Sequence, residues 1–400
     1  MPEADYAQFC NRLGSQGRRR TLRAMEPARD GRIRVGGKRL VNFSSNDYLG
    51  LARHPEVIRR ARDWAAEWGA GAGASRLVCG TLPLHERIEA KLAAGKRTSA
   101  ALLFGSGYQA NASVLPALLD RQVLGAEPLV FSDKLNHASI HAGCRAAGVR
   151  QIRYRHNDMN HLEDLLKRRA AQPGPRFIVS ETVFSMDGDR ADVGALAELA
   201  ERFGAFLYLD EAHATGVLGP DGFGLSPEHP GGARLAMGTF SKALGGFGAY
   251  VACSTPVRDY LVNHCAGFIF STAPPPAVLG AMDAALDLLP GLEPERRALQ
   301  AGAERVRAAF RAAGLDHGPS TTQIVPVMVG GEEDALALSR DLEEEGILGV
   351  AIRPPTVAAG TSRVRFSLTA AHGEDDLGRL MEAVPRLVER RQTVSCEAAV

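Results

Sequence analysis

Lys242 lies in GTFSKALGG (238–246), behind Thr239, Phe240 and Ser241 and just ahead of a glycine pair. Only six of the 47 basic residues are lysines, at 38, 91, 96, 134, 167 and 242. An exposed charge could equally be arginine. An amine that must lose its proton and attack a carbonyl could not, because a guanidinium is effectively never deprotonated.

Two more potential reactive groups fall in FLYLDEAHATG (206–216), where Asp210 ends an apolar run and His213 follows. Ligand-facing groups of parallel α/β sheets collect at the carboxyl ends of strands. A carboxylate there can hold a proton on a heteroaromatic nitrogen, as in pyridoxal phosphate (PLP) sites. The same DEAH string suits the second box of an ATPase motor. That reading needs G-x-x-x-x-G-K-[ST], and Gly-Lys occurs only at 37–38 and 95–96, each followed by Arg. A third reading is a capping Asp with a structural His.

In AALLFGSGYQAN (100–111), a strand-like run enters Gly105-Ser106-Gly107 and then a helix-like start. Backbone N–H groups at such a start bind phosphate. Gly105, Gly107 and Ala110 also fit G-x-G-x-x-[GA], a weak sign of a dinucleotide, and a plain turn fits too. A second match at Gly69, Gly71 and Ala74 follows a helix, which is the wrong context. His137 in KLNHASIHAG (134–143) could flank a flat ring or be merely solvated. SETVFSMDGD (180–189) places Glu181, Ser185 and Asp187 after a strand. In SRVRFSLTAAH (362–372), Val364, Phe366 and Leu368 take one face, and Arg363, Arg365 and Ser367 the other. An arginine there could clamp a carboxylate or simply face solvent.

The elements that must position these groups alternate. Strands are expected at Ser99–Phe104, Pro128–Asp133, Phe177–Thr182, Ala205–Glu211, Leu235–Phe240 and Ala249–Ser254, with helix-like segments such as 194–203 between them. Continuous apolar runs suit a parallel sheet buried on both faces, and the order implies an α/β fold. In His54–Gly69, Val57, Ile58, Ala61, Trp64, Ala65 and Trp68 recur at helical spacing, with Pro55 at the start and Gly69 at the stop; this helix is expected to pack. From about residue 286 a long amphipathic helix, two strand-like pieces (IVPVMV and SRVRFSLT) and EEDALALSRDLEEEG between them read as a smaller α+β domain. The expected organisation is an N-terminal segment (1–45), a large domain (46–285) and a small C-terminal domain (286–400).

With 45% apolar and 23% charged residues and a net charge of +1, the chain reads as globular, with no field drawing it to nucleic acid or membrane. The six cysteines (10, 79, 144, 253, 265 and 396) form no Cys-x-x-Cys pair or metal cluster. Reduced thiols, no signal-like N-terminus and no long apolar run favour a cytoplasmic protein.

Taken together, VNFSSNDYLGL (41–51), GAGAGASRLVCGT (69–81), ETVFSMDGD, LDEAHATGVLG and TFSKALGG resemble the α-oxoamine synthase family of fold-type I PLP-dependent enzymes, over roughly residues 20 to 385. The family often has Ser and Gly where this chain has Ala72 and Ala74, which bears on that loop's path. The resemblance implies a mostly parallel central sheet wrapped by helices, a smaller α+β C-terminal domain, and PLP as cofactor without a metal. It assigns Lys242 to the covalent attachment of PLP, Asp210 to the ring nitrogen and His137 to the ring face. His213 and Ser185 fall near the phenolic oxygen. Gly107, Tyr108 and Thr239 fall by the phosphate, and Ser271 and Thr272 would reach the phosphate of a partner subunit, implying a homodimer. Asn46 and Arg365 would meet the substrate carboxylate, with Arg20 and Thr356 as further substrate contacts. AIRPPTVAAGTSRVRFSLTAAH (351–372) resembles the member that joins L-alanine to a pimeloyl thioester, carried on CoA or a carrier protein. Members that use glycine with shorter acyl-CoAs are the alternative.

Overall fold

The computed structural model describes residues 2–28 and 32–397, with side chains through Arg391. The side chain of Cys396 lies outside the described residues. Three short strands come first: β1 (Glu26–Pro27), β2 (Arg32–Val35) and β3 (Lys38–Asn42). Seven follow: β4 (Ala100–Phe104), β5 (Leu129–Asp133), β6 (Gln151–Tyr154), β7 (Arg176–Glu181), β8 (Ala205–Asp210), β9 (Arg234–Thr239) and β10 (Ala249–Cys253). The last four are β11 (Ile324–Gly330), β12 (Ile347–Leu348), β13 (Val350–Ile352) and β14 (Ser362–Ser367).

The chain forms two compact units. The larger, Asn46–Ser185 with Asp189–Ala298, is built on a seven-stranded sheet of order β4-β10-β9-β8-β7-β5-β6. Strands β5 to β9 pair in parallel, and β10 runs antiparallel between β9 and β4. One strand is therefore reversed in an otherwise parallel sheet. Alternate residues of each strand feed opposite faces. On β8, Tyr208 joins a core with Leu102, Val114, Val179 and Leu235, whereas Leu207 and Leu209 join Phe131, Ile178 and Leu196 on the other side. This places Asp210 on the same face as Tyr208, at the carboxyl end of the strand.

The helix Pro55–Trp68 forms as expected, with His54 accepting from the Glu56 N–H and Gly69 beyond its end at φ +90°. Its burial differs from the expectation. Val57 is buried, but Ile58 and Trp68 are 53% and 39% exposed. Helical spacing fixed which residues share a stripe but not how wide a stripe its neighbours cover.

The second unit combines Met1–Ser45, Met186–Gly188 and Leu299–Val400. It holds a four-stranded sheet, β1-β2-β3-β12, and a three-stranded antiparallel sheet, β11-β14-β13. The face of β14 that carries Arg363, Arg365 and Ser367 is buried at Arg363 and Ser367. The Arg363 guanidinium pairs with Asp187, which neutralises a charge taken out of water.

Candidate active site

Five strand ends of the larger unit deliver polar groups to one cavity of about 230 Å³, lined by Ser106, Gly107, Tyr108, Asn111, His137, Ser139, Glu181, Asp210, Ala212, His213, Met237, Thr239, Ser241 and Lys242. Volume alone does not select it. A cavity of about 830 Å³ opens at the opposite ends of β7, β8 and β9, between Arg176, Ala205 and Arg234, but it lacks this set of facing acid, imidazole and amine groups.

The turn after β4 leads into the helix Gly107–Leu118, whose N-cap Ser106 accepts from the Gln109 N–H at 3.1 Å. The first N–H groups of a helix have no partner within it and favour an anion. Hydroxyls stand nearby. Thr239 donates to the Gly248 carbonyl at 2.9 Å, so the 2.7 Å contact with Ser241 uses the Ser241 proton. Gly107 packs beside these groups at ordinary contact: a Cβ on it would sit 3.8 Å from the Met237 thioether and 4.0 Å from Thr239.

One turn into that helix, Asn111 is fully buried and organises the acid. Tyr208 donates to its Oδ1 at 2.6 Å. Its amide donates to Asp210 Oδ2 at 2.7 Å and to Ser139 Oγ at 2.9 Å. Asp210 Oδ1 accepts from the Ala212 N–H at 3.0 Å. Both carboxylate oxygens are thus satisfied while the acid remains beside the cavity. Ser139 continues the chain. Its N–H donates to His137 Nδ1 at 3.3 Å, and its hydroxyl lies 2.6 Å from that nitrogen. Nδ1 is therefore an acceptor, and the ring proton sits on Nε2. Burial holds His137 below the ordinary imidazole value; Asp210 opposes this and Lys242 reinforces it.

Glu181 is buried beside Asp210, and burial first, then the Asp210 charge, drive its carboxyl well above the usual range, against Lys242. On the remaining side, His213 Nδ1 lies 2.7 Å from the Tyr48 hydroxyl, which also contacts Asn46 Oδ1 at 3.1 Å. Lys242 follows β9 in a loop whose return is made by Gly245. That glycine has φ +64°, and a Cβ on it would lie 2.2 Å from the Ala52 nitrogen. The absence of a side chain at Gly245 permits close backbone contact with Leu51–Ala52.

The donor set fits PLP. A carboxylate for a ring nitrogen, a lysine amine for the carbonyl carbon, a flat imidazole, and a helix start with hydroxyls for a phosphate all line one space. Of the residues singled out in the sequence, Lys242, Asp210, His137, His213, Glu181, Gly107, Tyr108 and Thr239 line it. Ser185 is buried on the loop after β7, outside the lining. Thr272 lies in a separate crevice with Ser271, whose hydroxyl accepts from Gln109 at 2.7 Å. Asn46 reaches the site's wall through Tyr48. In the other unit, Arg20 donates to Thr356 at 3.2 Å, and Arg365 donates to Ser367 at 3.1 Å. Asn111, Ser139, Tyr208 and Tyr48 were not singled out. The signal for Asn111 was its position four residues after Gly107, on the same helix face.

Fold and lining are those of a fold-type I, PLP-dependent transferase. The family model for aminotransferases of class I and II matches residues 38–384. A protein of Magnetococcus marinus named putative 8-amino-7-oxononanoate synthase is 62% identical over 96% of this chain and 98% of its own. Among solved structures, a serine palmitoyltransferase with its PLP internal aldimine superposes with a TM-score of 0.88 at 27% identity, over 96% of this chain and 97% of that one. An 8-amino-7-oxononanoate synthase from Francisella tularensis gives 0.75 at 25% identity, over 88% and 99%. The chain belongs to the class I and II aminotransferase family, and within it to the PLP-dependent acyltransferases named 8-amino-7-oxononanoate synthase. Among the described residues there is no helix long and apolar enough to cross a membrane, and no cluster of metal-ligating side chains.

Proposed function

We propose that the protein condenses L-alanine with a pimeloyl thioester, on CoA or a carrier protein, to give 8-amino-7-oxononanoate, carbon dioxide and free thiol for biotin synthesis. The observation that carries this reading is the convergence of Lys242, Asp210 and His137 on one cavity in a chain 62% identical to a protein of that name. PLP supplies an electron sink for charge developing at the amino-acid α-carbon. Asp210 keeps the ring nitrogen protonated by offering a fixed negative charge. His137, neutral at pH 7, presents an uncharged ring face. His213 and Ser185 serve the phenolic oxygen; Gly107, Tyr108 and Thr239 serve the phosphate.

Lys242 Nζ holds PLP in the resting enzyme, then removes the alanine α-proton and later returns one. Asn46 and Arg365 hold the alanine carboxylate, and Arg20 and Thr356 contact substrate. A bond forms between the alanine α-carbon and the thioester carbonyl as thiolate leaves. The bond to the carboxylate then breaks, releasing carbon dioxide. The protein acts in the cytoplasm as a homodimer, with Thr272 serving the partner's phosphate. Leu77, Val78 and Phe270, exposed by 52%, 78% and 83%, supply apolar surface for that contact.

The test is absorbance of the holoenzyme titrated with alanine, glycine and serine, with and without pimeloyl-CoA, followed by product analysis. Alanine-specific spectral change and release of 8-amino-7-oxononanoate support the proposal. A response to glycine alone moves the function to a glycine-using α-oxoamine synthase. No lysine-linked chromophore after adding PLP overturns it.

A further inference from the structure

Tyr48 is fully buried, and its hydroxyl bridges two groups assigned different tasks. It lies 3.1 Å from Asn46 Oδ1 and 2.7 Å from His213 Nδ1. A phenol has one proton and can donate to one of them only. With Oδ1 of Asn46 facing it, Tyr48 donates to the amide. Its oxygen then accepts from His213, so the proton sits on Nδ1 and Nε2 presents a lone pair. Turning the amide over reverses both of these bonds: Asn46 Nδ2 donates to Tyr48, Tyr48 donates to Nδ1, and Nε2 carries the proton. The two amide orientations correspond to the two tautomers of a neutral His213.

We propose that Tyr48 is a positioning residue that couples a carboxylate bound at Asn46 to the tautomer of His213. The proposal rests on the reading of Asn46 as a carboxylate contact. A carboxylate only accepts, so it takes the Nδ2 side of the amide and leaves Oδ1 to Tyr48. Arrival of the amino acid thereby fixes the proton on Nδ1 of His213 and readies Nε2 to accept a hydrogen bond at the cofactor. Tyr48 touches neither reactant in this scheme.

The test is nitrogen-15 NMR of histidine-labelled protein, as apoenzyme and as holoenzyme, with the His213 signals assigned by His213→Gln. Adding L-alanine should move the His213 pair toward the Nδ1–H pattern. In Tyr48→Phe that movement should vanish, while kcat falls roughly tenfold or more and KM for alanine changes far less. Asn46→Asp gives a second arm that does not depend on Tyr48→Phe folding. Both of its oxygens only accept, so His213 should show the Nδ1–H pattern without any amino acid. An unchanged response in Tyr48→Phe, or a parent enzyme whose chromophore answers alanine while its His213 signals stay still, overturns the coupling and leaves the proposed function standing. A chromophore that answers no amino acid overturns the proposed function, and the coupling with it.

Discussion

Glu181 and Asp210 are direct neighbours across β7 and β8, and both reach the same cavity while nearly out of water. Two buried carboxylates at that spacing do not both ionise readily. Asp210 receives hydrogen bonds from Asn111 and the Ala212 backbone, whereas burial first, and then the neighbouring Asp210, favour the protonated form of Glu181. The folded value of Glu181 lies above its ordinary 4.5. As pH rises above 4.5 the unfolded chain releases this proton more readily than the folded chain does, so Glu181 weakens folding at pH 7. Glu181→Gln should therefore raise the melting temperature of the apoenzyme at pH 7, with the gain disappearing as the pH falls below about 4.5, where both states are protonated. Equal or greater loss of stability at pH 7 would show that the ionised form is the one the fold needs. Asp210→Asn, by contrast, should lower PLP affinity, read by cofactor content after dialysis.

His156 makes the opposite pH prediction. Its Nδ1 lies 3.0 Å from Asp133 and its Nε2 2.8 Å from Asp189, joining the end of β5 to the loop that follows β7. Burial opposes the charge on the ring, but the two carboxylates outweigh it and lift His156 to about 9. The folded value exceeds the ordinary one of 6.5, so the stabilisation is complete below 6.5 and is lost as pH rises through about 9. Unfolding midpoints in denaturant, compared for the parent and His156→Gln, should differ by about 1–3 kcal/mol at pH 6 and converge above pH 9. A difference that persists at pH 10 would assign the effect to packing against Phe184, whose ring centroid is 4.4 Å away.

Lys96 is fully buried, and its amine lies 2.5 Å from the equally buried Glu211 carboxylate. Glu211 also accepts from the Leu225 and Ser226 N–H groups at 2.6 and 2.9 Å, fastening the loop that follows Asp210 and His213. Lys96→Met leaves that carboxylate buried without its counter-charge and should cost about 3–5 kcal/mol. Lys96→Met combined with Glu211→Gln should recover part of the loss, measured by chemical denaturation as a double-mutant cycle. Strict additivity would mean that the two groups do not depend on one another.

The elements that could be read from the sequence were those written in apolar runs. FLYLD and LAMGT became β8 and β9 because both faces of a central strand are covered and every position favours an apolar side chain. β6, with the sequence QIRY, went unseen: it is an edge strand in which Tyr154 is buried, Gln151 and Ile152 are half-buried and Arg153 is exposed. The reversal of β10 was also hidden, since AYVAC is apolar in either direction. At the site, Lys242, Asp210 and His137 announced themselves by residue type. Their supports did not. Asn111 and Tyr48 act through hydrogen bonds to residues 99 and 165 positions away, and such pairings exist only once the sheet has brought the segments together.

The last prediction concerns the two glycines after Lys242, which look alike in sequence and differ in the fold. Gly245 has φ +64°, and a Cβ there would fall 2.2 Å from the Ala52 nitrogen and 2.3 Å from the Leu51 carbonyl carbon. Both the backbone angle and the contact exclude a side chain, and the obstructing atoms are main chain that cannot rotate aside. Gly246 has no positive φ, and its nearest neighbour would be 3.7 Å from a Cβ, an ordinary contact. Gly245→Ala should therefore cost roughly 2 kcal/mol or more, while Gly246→Ala should stay within about 0.5–1 kcal/mol of the parent. Because the loop that must move in Gly245→Ala carries Lys242, the same variant should bind PLP more weakly and hold a smaller fraction of it covalently. Thermal unfolding of both apoenzymes, followed by borohydride trapping of bound PLP, checks the pair. Equal tolerance at the two positions would mean that the contact with Leu51–Ala52 does not set the path of the lysine loop.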